Sequence, residues 1–130
     1  MCLLDRLHSW SDQHVHCTAI DHRDADHPLR SAGGLLAPCA IEYAAQAMAL
    51  HGALTADASP SQPGYLASVR AVHLRVPRLD VIAGALHVHA DRIAGDASVA
   101  AYQFSVCDEA GALLVDGRIT LVLSPAGSGP

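Results

Sequence analysis

Apolar and polar residues alternate through four long stretches in the second half of the chain, most plainly in "VRAVHLRV" and "RITLVL". Successive side chains on a strand point to opposite faces, so this period of two predicts strands with one covered face. The four are "YLASVRAVHLRV", "ALHVHADRIAG", "SVAAYQFSVCDE" and "ALLVDGRITLVL", broken by "PRLDVIAG", "GDA" and "DEAG", each with turn residues. Two shorter strands come first, "MCLLDRLHSW" and "HVHCTAI", with "SDQ" as the turn between them. "DHRDADHPLRSAGG" is then a polar loop of about fourteen residues, long enough in a small domain to suggest either function or disorder. Residues 37–54, "APCAIEYAAQAMALHGAL", lose the alternation and consist of good helix formers, with Pro38 tolerated in the first turn. "TADASPSQPG" closes the helix as a flexible connection.

The predicted order is two strands, a loop, one long helix, then four antiparallel strands. A helix that is apolar all round has to be wrapped. Eighteen helical residues span about 27 Å, which strands of about ten residues can cover. An α+β hotdog fold satisfies this: an antiparallel sheet wrapped around one long central helix. Residues 1–123 form a single domain and "SPAGSGP", 124–130, is a solvated tail.

Composition narrows the function. The 130 residues are half apolar, with a net charge of −5. There is no lysine, which excludes lysine Schiff-base chemistry. There is also no basic run, and aromatics are few, which argues against nucleic acid. No apolar run is long enough to span a membrane, and Asp5 and Arg6 interrupt any signal-peptide core, so the expectation is cytoplasmic. Cys2, Cys17, Cys39 and Cys107 form no CxxC pair. Cys39 and Cys107 read as small buried hydrophobes.

Glu42 is the one acid in the helix, with Gln46 a turn later. A buried carboxylate needs a partner, a proton or a task. "LLDRL" in the first strand, "HP" before a Gly-containing loop, and "IEYAAQAMA" on the helix resemble the beta-hydroxyacyl-ACP dehydratases, and are closer still to the dehydratase-like proteins of aryl-polyene and related lipid clusters. The resemblance implies dehydration of a 3-hydroxyacyl thioester on acyl carrier protein, or on CoA, to a trans-2-enoyl thioester in fatty-acid or polyene biosynthesis. It also implies a homodimer, or a heterodimer with a second hotdog subunit, in which His27 of one protomer approaches Glu42 of the other at the mouth of an apolar tunnel. His27 stands at the family's base and Glu42 at its acid. A neutral imidazole takes the α-proton and a carboxylic acid protonates the departing hydroxyl. Gln46 supports the acid or the helix packing. Backbone N–H groups of Ala37, Cys39 and Ala40 are the oxyanion candidates.

The chain departs from the pattern where "HPLR" replaces "HFPG" and where "LLAPCA", with Pro38, replaces a Pro-Gly before the acid. Relatives usually carry a further segment before the first strand. Two alternatives therefore stand: a thioesterase, in which the helix acid activates water, and a non-catalytic subunit that completes another dehydratase. His22 rivals His27 within the loop. Arg70, Arg75 and Arg78 are candidates for contact with the phosphopantetheine phosphate or an acidic carrier. The two "HVH" motifs, 14–16 and 87–89, put pairs of histidines on a strand face, but two residues do not close a site, so neither metal nor cofactor is expected.

Overall fold

The computed structural model describes residues 2–55, 64–95 and 99–123, excepting the side chains of 64–67 and 123. The connection after the helix, the turn at 96–98 and the tail at 124–130 lie outside them. The elements are β1 (Arg6–Trp10), β2 (His14–Ala19), a 3-10 turn (Ala37–Cys39), α1 (Ala40–Thr55), β3 (Gly64–Leu74), β4 (Leu86–Gly95), β5 (Val99–Cys107) and β6 (Leu113–Leu123). The strands make one antiparallel sheet in the order β1-β2-β4-β5-β6-β3.

Alternation gives the sheet its two faces. Val15, Cys17 and Ala19 on β2, Leu86, Val88 and Ala90 on β4, and Tyr102, Phe104 and Val106 on β5 are buried and pack toward the helix. Gly117 on β6 lies opposite Phe104, and a side chain there would come within 3.0 Å of the Phe104 ring and of Val72. Its missing Cβ makes room for the aromatic.

The helix differs from expectation on two counts. Pro38 cannot donate, and the first turn tightens into the 3-10 conformation, with the α-helix starting at Ala40. Its surface is also covered on one side only. Ala40, Tyr43, Ala44, Ala47, Met48 and His51 are buried against the sheet, at helical spacing. Glu42, Ala49, Gly52 and Ala53 are exposed. The expected hotdog arrangement, an antiparallel sheet packed on one long helix, holds, but one stripe of the helix stays open, because small residues all round it record close approach without recording to what.

Candidate functional site

The segment carrying His27 into the helix is tied down by one carboxylate. Asp80 has a side chain only 4% exposed and takes two bonds from Arg78, at 3.1 and 2.5 Å, and the Leu35 N–H at 3.0 Å. Arg30 lies 3.5 Å away. The Arg78 bonds, above all, hold the Asp80 carboxyl far below the usual carboxylate range. The backbone adds Leu79 N–H to Leu35 O at 2.7 Å and Ala37 N–H to Pro77 O at 3.0 Å. Gly34 sits at φ 98°, and a Cβ there would meet Arg78 Nε and Asp80 Oδ1 at 2.7 Å. Only glycine fits that approach.

His27 is buried, and its protons can be placed from its partners. Nδ1 accepts the Leu29 N–H at 3.0 Å, so the neutral ring carries its hydrogen on Nε2, which it donates to the Tyr43 hydroxyl at 2.9 Å. Tyr43 in turn donates to Asp21 Oδ1 at 3.2 Å, and that oxygen lies 3.6 Å from His27 Nε2. Burial, then the Asp21 charge, push the Tyr43 phenol far above its ordinary value, so it stays a donor. Tyr43 and Asp21 were missed in the sequence. The available signal was a tyrosine next to Glu42 on the core stripe, whose buried hydroxyl must find a partner.

Glu42 follows a different course from the one expected. It is exposed in the single chain, on the open face of α1, one position from Tyr43 and therefore about 100° around the helix from it. Enclosure on every side does not hold for it, because the sheet reaches only the opposite face. Gln46 Oε1 accepts the N–H of buried Leu3 at 2.8 Å. The oxyanion assignment also needs correction. Ala37 N–H goes to Pro77 O, Cys39 N–H to Leu36 O at 3.0 Å, and Ala40 N–H to Ala37 O and Pro38 O. The 3-10 turn folds these donors back onto the chain, and none is left to meet a substrate oxygen.

Comparison with known proteins places the chain in a family. The family model of the ApeP dehydratase, ApeP-like, matches residues 1–128. The chain belongs to the ApeP-like dehydratase family. It is similar to the dehydratase heterocomplex ApeI:P from Xenorhabdus doucetiae, with a TM-score of 0.79 and 27% identity over 96% of this chain and 84% of that one. It also resembles a thioesterase from Haemophilus influenzae (TM-score 0.69, 18% identity, 94% of this chain and 79% of that one). A third likeness is AziG of S. sahachiroi (0.69, 16%, 92% and 90%). At those identities the last two show the shared hotdog fold and no more. No curated protein sequence matches the chain.

Within an ApeP-like dehydratase the other candidates divide. Arg78 is committed to Asp80, and Arg75 to Asp116, which also lies 3.6 Å from His73. Arg70 is exposed, opposite Arg118 in the β3–β6 register, with no acidic side chain in salt-bridge range among the described residues. His22 donates to Ile82 O at 2.9 Å, and its buried Nδ1 has no partner. His51, fully buried between Tyr102 Oη at 2.7 Å and Ser11 O at 2.8 Å, is structural. Burial pushes the Cys17, Cys39 and Cys107 thiols up, away from nucleophilic use. An open cavity of about 280 Å³ lies between β1 and the helix, lined by Cys2, Leu4, Leu7, Gln46 and Leu50 among others. Neither His27 nor Glu42 lines it. No helix among the described residues is long and apolar enough to cross a membrane.

Proposed function

We propose that this chain dehydrates a 3-hydroxyacyl group carried as a thioester on acyl carrier protein, and that its site is completed by a second hotdog subunit laid against the open face of α1. The supporting observation is the placement of Glu42. It is exposed on the uncovered side of the helix, beside the residue that anchors a buried histidine. A subunit covering that face would remove the carboxylate from water and bring its own loop histidine to it. The likeness to a dehydratase heterocomplex agrees with this.

In this reading Glu42 gives a proton to the β-hydroxyl as the C–O bond breaks, and His27 of the facing subunit takes the α-proton as the double bond forms. Water leaves, and solvent returns the proton from imidazolium to carboxylate. Asp21, reached through Tyr43, stabilises the imidazolium, as a third group orients the base in other catalytic sets. The proton arrives at Nδ1, so the Leu29 N–H bond has to open first. That requirement, with the engaged N–H groups of the 3-10 turn, favours a second reading in which this chain is the supporting half and the other subunit holds the working base.

Enoyl formation by the chain alone, and after mixing with a second hotdog subunit, decides between them. On the first reading Glu42→Gln lowers kcat by about 100- to 10,000-fold, the range for a lost general acid, while binding of the carrier persists. A supporting subunit would show no activity alone, and Glu42→Gln would leave the mixed assembly at full rate. Free thiol without enoyl product would instead indicate hydrolysis.

A further inference from the structure

Five of the nine histidines share one surface of the sheet. On β2 His14 and His16 alternate with buried Val15 and Cys17, and on β4 His87 and His89 alternate with buried Val88 and Ala90. All four therefore face away from the helix. The register sets His16 opposite His89, and their rings stack at 4.2 Å, while His8 from β1 stacks on His16 at 4.8 Å.

The diagonal neighbours are the informative ones. His16 Nε2 and His87 Nδ1 are 2.9 Å apart, and His14 Nε2 and His89 Nδ1 are 3.5 Å apart. An ion held by two imidazoles at about 2.0–2.1 Å separates the two nitrogens by about 3.0–3.4 Å, and the two pairs bracket that spacing. Each pair is also backed by a carboxylate on the outer nitrogen of one ring: His87 Nε2 to Glu109 Oε1 at 2.8 Å, and His14 Nδ1 to Asp91 Oδ1 at 2.6 Å. A carboxylate behind a ligating imidazole fixes its tautomer and raises its basicity.

We propose that this face binds a divalent transition-metal ion, zinc or nickel, between His16 and His87, with His14 and His89 forming a second seat of the same design. Imidazole nitrogen suits both ions. The proton positions are already suitable. With its hydrogen turned to Glu109, His87 presents a bare Nδ1 to His16, and His14, bonded to Asp91, presents a bare Nε2 to His89. In each pair a single N–H fills the gap, on His16 or on His89. An entering ion takes its place as that ring moves its hydrogen to its other nitrogen, so neutral rings release no proton. Among the described residues no three His, Cys, Asp or Glu side chains surround one point, so water completes the coordination. The second ion binds more weakly than the first because the seats lie on one ladder and like charges repel.

The test is titration calorimetry of the untagged full chain, freed of metal, with zinc and nickel chloride at neutral pH. Saturable uptake of at least one equivalent is expected. His16→Ala and His87→Ala should each weaken the tighter site by about tenfold or more, and Glu109→Gln by about 10- to 100-fold. His73→Ala, on β3 outside the cluster, should change nothing. Nuclear magnetic resonance of the unaltered protein gives a reading independent of variant folding: nickel should broaden the His16 and His87 ring signals first. Absence of saturable uptake at millimolar metal, or undiminished binding in the His16→Ala/His87→Ala double variant, overturns the proposal.

Discussion

Tyr43 shows how one hydroxyl sets the state of a neighbouring base. It accepts from His27 and donates to Asp21, so the histidine's tautomer follows from the network. Replacing it with Phe strands the His27 Nε2–H in a buried position, a cost of about 1–3 kcal/mol. Chemical denaturation should register that loss, and the replacement should also slow dehydration where His27 is the base. A midpoint within about 0.5 kcal/mol of the parent, the spread expected of a neutral surface change, would show that Tyr43 only packs. His27 and Glu42 were legible as candidates, from residue type, spacing and the family resemblance. Their environments were not, because burial depends on which side the sheet approaches, and the Ala-rich helix offers two sides alike.

At the scale of elements the sequence reads well where alternation is strict and poorly where the backbone is used as a partner. The strands β3 to β6 fall within a residue or two of the alternating stretches. The first strand starts only at Arg6, because Leu3 leaves the ladder to bond Gln46. Pro38 was placed correctly in the first turn, but its conversion of that turn to 3-10 geometry consumed the N–H donors expected to serve catalysis. The loop before the helix depends on Gly34. Gly34→Ala should destabilise the fold by more than about 1 kcal/mol, since the native φ is incompatible with a side chain. Thermal unfolding checks this, and an unchanged midpoint would mean that the Arg78–Asp80 pair can move aside.

The histidine face makes an element-level prediction about acid. Burial first, then repulsion from His89, His8, His87 and His14, lowers the His16 value from 6.5 to about 4. Asp91 and Glu109 are the carboxylates facing the ladder. A group that is harder to protonate when folded takes up fewer protons than the unfolded chain between those two values. The contribution of His16 to the stability of the metal-free protein is therefore complete above about 6.5 and falls as pH drops towards 4. His16→Gln should flatten that slope in denaturant titrations, and an identical slope would assign the acid sensitivity elsewhere.

On the proposed function, the whole molecule is half of an assembly. One face of α1 is packed on the sheet, and the other carries Glu42 among exposed Ala49, Gly52 and Ala53. Fold and family were legible because element order and the helix motif survive in a single sequence. A second subunit enters only as an implication of resemblance, since nothing in a chain's own alternation distinguishes solvent from a partner.

The most direct measurement is a crystal structure of this chain in its solution assembly, grown without added metal. The open face of α1 should be covered, with the Glu42 carboxyl out of water and an imidazole from the facing subunit's loop within hydrogen-bond reach of the space beside it. Glu42 standing in bulk solvent, remote from a histidine across every subunit contact, would contradict it.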